Sequence, residues 1–186
     1  RQRQMCIRDR GFLVPLLGIT LIGNVTSLDP NATLITLRGA GSARLDVYRS
    51  RGELKGRFCC NGTSLCTYKT WEQSTSTLNT VSPPRTGEPV LFGIAGVSSK
   101  RLDVSVLYMD TLAGRRLPAW TFDNWPTPEC PAFLSRGTSV ALQIGGRSEM
   151  FLSELWFIPS SNFPPSADMA PQDIVNTYYV GAAPLP

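Results

Sequence analysis

LQIGGRSEMFLSELWFIPSSNFPPSADMAPQDIVNTYY, residues 142–179, is the stretch that decides the fold. An alternating apolar run ends at Gly145 and Gly146, and a second strand-like run covers 151–158. A Pro/Ser loop follows, and then a short helical pattern. There Pro171 suits a first helical turn, Ser166 or Asp168 can cap it, Ile174, Val175 and Tyr178 share one side, and Gly181 stops it. Strand, glycine turn, strand, loop and late helix closes one kind of β-sandwich. That points to binding or structural work at a surface and away from most enzymes.

Working outward, strand-length segments recur. Residues 33–37 read TLITL, 44–48 read RLDVY with Leu45 and Val47 on one face, and 53–60 read ELKGRFCC with Leu54 and Phe58 on one face. Residues 65–71, 90–97, 102–109, 115–122, 139–144 and 150–158 continue the series. The apolar run 12–22, FLVPLLGITLI, could be a signal-peptide core, but no small-residue cleavage site follows closely, so 18–26 is read as a strand. Residues 72–88 form a polar Ser/Thr/Pro loop, the longest gap. Three prolines in 125–131, WPTPECP, argue against regular structure there. About ten strands, one late helix and no βαβ rhythm predict an all-β fold, an antiparallel two-sheet sandwich with one short C-terminal helix.

Residues 1–10, RQRQMCIRDR, have no periodicity and resemble a translated sequencing adapter. They are expected to be an artefact or disordered. The sandwich then spans 11–180 with its N-terminal part truncated, and 181–186 is a tail or linker. The decapeptide holds four of the 18 basic residues and one of the 14 acidic ones, so the remainder is close to neutral. That leaves no basic footprint for nucleic acid. No apolar run reaches membrane-spanning length, and no membrane insertion is expected. The chain has no histidine, which removes histidine triads, histidine acid–base chemistry and ordinary histidine metal sites.

Cys59, Cys60, Cys66 and Cys130 form an even set that fits two disulfides in an oxidising compartment. The Asn-Gly pair at 61–62 reads as a hairpin turn flanked by cysteines. Cys60–Cys66 is the preferred short bridge, leaving Cys59 for Cys130; a vicinal Cys59–Cys60 bond is the alternative, and a zinc site lacks the paired C-x-x-C spacing. Sequons at Asn24, Asn31 and Asn61 join the cysteines in favouring a secreted or cell-surface protein.

In order, TLITLRGAGSARLDVYRSRGELKGRFC (33–59), EPVLFGIAGVSSKRLDVSVLYMDTLAGRRL (88–117), LQIGG, LSELWFIP and MAPQDIVNTYY resemble a laminin-G-like domain. More broadly, the chain is similar to the concanavalin A-like lectin/glucanase superfamily over roughly residues 17–180. Thr111 stands where that pattern has a hairpin glycine, and the first strand or strands are missing. The resemblance implies a lectin, an adhesion module, a calcium-dependent protein-binding module or a glucanase. The glucanase pattern of alternating carboxylates, E-x-D-x-[x]-E, is absent. Glu149 and Glu154 are the nearest carboxylates in a strand region, and a spacing of five puts them on opposite faces of a regular strand.

Calcium would need several loop oxygens to converge. Asp29, Asp110 and Asp123 are the candidates, and turn stabilisation is the preferred reading, so no cofactor is expected. A sugar site needs an exposed aromatic ring with polar neighbours. Asp123, Asn124 and Trp125 offer one, with Trp125 partly exposed and Trp71, Trp120, Phe122 and Trp156 in the core. The expectation is a non-catalytic extracellular recognition or adhesion module of a longer multidomain chain, binding a glycan or protein ligand through sandwich loops. A dedicated lectin and a truncated or degenerate glycoside hydrolase are the alternatives.

Overall fold

The computed structural model describes residues 5–6, 10–60, 66–75, 80–98, 101–112, 115–134, 137–146 and 148–159. Their strands are β1 (Met5–Cys6), β2 (Arg10–Pro15), β3 (Ile19–Ser27), β4 (Thr33–Arg38), β5 (Arg44–Ser50), β6 (Glu53–Cys59), β7 (Cys66–Thr70), β8 (Ser74–Thr75) and β9 (Thr80–Ser82). They continue with β10 (Val90–Ser98), β11 (Arg101–Leu112), β12 (Arg115–Pro126), β13 (Ser139–Ile144) and β14 (Met150–Pro159). One sheet runs β1-β14-β3-β10-β11-β9-β8, with β12 on the other side of β11. The second runs β2-β13-β4-β5-β6-β7. All the strand pairs are antiparallel, and the two-sheet sandwich is the fold class expected.

Alternation along each strand builds the core. In the six-stranded sheet Leu37 faces Leu45 and Ile35 faces Val47 in register, and all four are fully buried. In the other sheet Phe92 lies between Gly23 and Val106, and Ile94 between Leu21 and Val104. These side chains meet in one cluster between the sheets. Arg49 also points inward, 2% exposed, and donates to the carbonyls of Gly52, Pro84 and Arg85 at 3.2, 2.9 and 2.8 Å. Burial lowers its pKa. It pins the 83–88 loop to the end of the sandwich.

Several expectations change. Residues 72–88 are not all loop: β9 pairs with residues 109–111 of β11, beyond the point where β10 has left that strand. Strand β12 runs through Trp125 to Pro126 despite its prolines, because among the described residues it pairs only with β11, and an edge strand has ladder positions that need no donor. A short helix, α1 (Pro131–Leu134), follows. Trp156 is 51% exposed and not in the core. The run Leu155–Trp156–Phe157–Ile158 is apolar on both faces, so the sequence does not say which face is covered. Within the segment expected to be an artefact or disordered, Met5 and Cys6 pair with β14, and Arg10 with β13, which does not bear on its origin. The expected helix with Ile174, Val175 and Tyr178, and the side chains of Trp120 and Phe122, lie outside the described residues. Among those residues no helix is long and apolar enough to cross a membrane.

Candidate functional site

The expected loop site is a strand segment. Asp123, Asn124 and Trp125 lie in β12 opposite Val106, Ser105 and Val104. Trp125 is only 6% exposed and meets Trp71 edge-on, with ring centroids 6.1 Å apart. That corrects its assignment as an exposed stacking platform. The Asp123 carboxylate accepts from the Tyr108 hydroxyl at 2.9 Å and pairs with Lys69 at 2.7 Å, and its backbone carbonyl accepts from the Trp71 indole at 3.2 Å. Burial, then the Asp123 bond, pushes the Tyr108 phenol up. The exposed Asn124 bonds the Ser105 hydroxyl. These groups tie β7 to β11 and β12 and are spent on one another.

The disulfides exchange the expected partners: Cys59 bonds Cys66, and Cys60 bonds Cys130. Cys59 and Cys66 are register partners with Cα atoms 4.1 Å apart. Adjacent residues of a strand face opposite ways, so Cys60 turns inward, where Cys130 lies in the core cluster.

The calcium candidates are not brought together. Asp29 sits in the β3–β4 turn, Asp110 in β11 and Asp123 in β12, and among the described residues no three metal-ligating side chains converge. Asp29 accepts the Asn31 backbone N–H at 2.8 Å and the Ser148 hydroxyl. The Ser148 bond, then the Asn31 bond, holds its carboxyl below the usual range. Of the sequons, Asn24 is half-buried in β3 with its amide oxygen buried and without a partner among the described residues, Asn31 is exposed, and Asn61 lies outside the described residues.

The arrangement that sequence reasoning missed is on the outer face of the six-stranded sheet. The β4–β5 register puts Thr36 opposite Asp46 and Arg38 opposite Arg44. Asp46 is 2% exposed. Its Oδ1 accepts from Thr36 Oγ1 at 2.8 Å and Arg44 Nε at 2.7 Å, and its Oδ2 from Arg57 Nε at 3.2 Å and Nη2 at 2.7 Å. Four bonds saturate a carboxylate. Asp46, first through its hydrogen bond, raises the Arg57 pKa.

Arg44 still has both Nη groups unspent, and Arg38 has no ion-pair or hydrogen-bond partner among the described residues. Beside them opens a cavity of about 480 Å³, lined by Asn31, Thr33, Thr36, Arg38, Arg44, Gln143, Gly145, Gly146 and Ser148. The turn at Gly145 has φ +86°, a left-handed conformation that favours glycine. Two cavities of comparable size at the sandwich edge differ in character. One contains the Lys69–Asp123 pair, and the other mixes Arg51 and Arg85 with Glu53 and Glu72. The sequence did carry a signal for the missed site: Arg38 and Arg44 bracket the Gly-rich hairpin Gly39–Ala43 symmetrically.

The fold is similar to that of the Caenorhabditis elegans galectin LEC-6 at 8% identity, covering 78% of this chain and 91% of that one, with a TM-score of 0.41. It is also similar to CG-16, a homodimeric agglutinin from chicken liver, at 13% identity, covering 80% and 99%, with a TM-score of 0.43. Neither likeness bears on what this chain binds. No protein-family model matches the sequence, and no curated protein matches it.

Proposed function

We propose that this chain is a non-catalytic recognition module that takes a glycan or extracellular protein ligand on the outer face of its six-stranded sheet. The observation that carries this reading is the open polar cavity beside Arg38 and Arg44, where the Arg38 guanidinium and both Nη groups of Arg44 have no hydrogen-bond or ion-pair partner among the described residues. On this reading the ligand sits on a sheet face and not at the expected loop at Asp123. Asp46, the buried carboxylate nearest the cavity, has its acceptor positions filled and is unsuited to act as nucleophile or base. Two disulfides support a secreted or surface location. The laminin-G-like resemblance and a place in a longer multidomain chain belong to the same reading.

Gly146→Trp tests it. A Cβ at Gly146 would lie 3.6 Å from the Thr33 Cβ, an ordinary contact, so the indole can occupy the cavity without backbone strain. On arrays of glycans and extracellular proteins, saturable binding should be lost in Gly146→Trp and kept in Asn124→Ala. Loss in Asn124→Ala alone would return the ligand to β12, and no saturable binding by the unmodified chain would overturn the proposal.

A further inference from the structure

We infer that the cavity takes an acidic saccharide, with its sulfate or carboxylate between Arg38 and Arg44; this rests on the reading above. Arg38 and Arg44 are direct cross-strand partners on one face. Like charges so placed destabilise a sheet. Asp46 relieves only part of this, because it is shared between Arg44 and Arg57 and makes no bond to Arg38. An anion bridging the two guanidinium groups removes the repulsion and gains charge-assisted hydrogen bonds from planar forks that match a carboxylate or sulfate.

The remainder of the lining defines the rest of the ligand. Hydroxyls and amides of Thr33, Thr36, Asn31 and Gln143 surround the arginines, and no carboxylate lines the cavity among the described residues. Among the described residues no apolar side chain lines it either. A peptide would want an apolar anchor there, whereas a sugar presents hydroxyls. About 480 Å³ lies within the range of small-ligand sites. Asn31 is also a sequon residue, so a glycan attached to it and a ligand in the cavity would compete for the same space.

Titration calorimetry with four probes tests the inference: a sulfated uronate hexasaccharide, the same hexasaccharide desulfated and carboxyl-reduced, an acidic hexapeptide, and sodium sulfate. The acidic saccharide should bind at least about tenfold more tightly than the other three, and its affinity should fall as salt rises. Arg38→Gln should weaken it about tenfold or more, and Gly146→Trp should abolish it. The ligand-free Arg38→Gln protein should melt at the same temperature or about 1–3 °C higher, because a repulsion has gone.

Equal binding of the neutral sugar with loss in Gly146→Trp would overturn the acidic ligand but leave the recognition face standing. Tighter binding of the peptide, or sulfate alone binding as well as the saccharide, would overturn the saccharide. A melting temperature several degrees lower in Arg38→Gln would make Arg38 a structural residue and sink the inference. If none of the four probes binds, the inference fails; the arrays above then decide the broader reading.

Discussion

Along the seam where β6 and β7 meet β12, the inner faces of the two sheets are tied by every means the sequence offers. Cys60 is bonded to Cys130, Lys69 and Tyr108 reach Asp123, Trp71 meets Trp125, and Phe58 meets Phe133 of α1 with centroids 5.4 Å apart. On the outer face of β4 and β5 the same kinds of charged residue stand differently: Asp46 is consumed, and the arginines around it keep donors outward. Both regions carry aspartate with basic partners, and one-dimensional reading prefers the first because it is rich in tryptophan. The difference lies in what is left over. A cluster whose donors and acceptors satisfy one another stabilises the fold, and one with unspent donors in a concave setting is available to a ligand.

The largest effect should come from cutting the seam. In the chain-entropy picture a bridge across 70 residues contributes about 4 kcal/mol and one across 7 residues about 2 kcal/mol. Cys60→Ser with Cys130→Ser should therefore cost about twice as much as Cys59→Ser with Cys66→Ser, read as the shift in urea unfolding. Equal costs would mean that the seam is not where the sheets are held.

Next comes Gly56→Ala. A Cβ there would stand 2.4 Å from Cζ3 of Trp125 and 2.8 Å from its Cε3, in the middle of the tryptophan contact. Overpacking should cost about 2–3 kcal/mol in the same assay, with a change in near-ultraviolet circular dichroism as the indole moves. A neutral outcome would show that the seam can yield.

On the face the expected cost is smaller. Asp46→Asn removes a buried charge shared by two arginines, but Arg44 and Arg57 are 39% and 40% exposed and can hydrate. About 1–2 kcal/mol follows, below the 3–5 kcal/mol typical when a fully buried pair is broken. A loss as large as that of the seam disulfide would make this face structural and erase the contrast.

What the sequence reveals follows from periodicity. RLDVY and ELKGR alternate cleanly, so β5 and β6 and their buried faces are legible in it. Alternation fixes which residues share a face; it does not fix register. Register alone decides that Cys59 rather than Cys60 meets Cys66, and that Arg38 stands against Arg44. Nor does it fix burial where both faces of a strand are apolar, which is why Trp156 reads as core and is exposed. Trp125 reads as exposed for another reason: Asp123, Asn124 and the prolines at 126, 128 and 131 suggest a loop, whereas β12 carries the indole inward against Trp71. The strands β8 and β9 escape notice because Ser-Thr and Thr-Val-Ser carry almost no apolar signal. The candidate site is the least legible part, since its residues come from the β3–β4 turn, β4, β5, β13 and the turn after it.

The smallest effect concerns the wall of the cavity. Asp29 bonds the Asn31 backbone and the Ser148 hydroxyl, joining two turns that each give a side chain to the lining. Its carboxyl is held low by Ser148 first and Asn31 second. A carboxyl whose folded pKa lies below its unfolded value adds stability that is complete above the unfolded value and disappears as pH falls through the folded one. From neutral pH down to about 5 the cavity wall should be unchanged, and it should loosen only below about 4. Carbon-detected nuclear magnetic resonance titration of Asp29 reads this directly, with the Asn31 and Ser148 amide signals moving at the same pH. In Ser148→Ala the Asp29 midpoint should rise toward the ordinary carboxylate value, because the larger of its two stabilising bonds is gone. An Asp29 midpoint already at the ordinary value in the unmodified chain would mean that the two turns are not joined through this carboxylate, and that the cavity is bounded on that side by β4 and β13 alone.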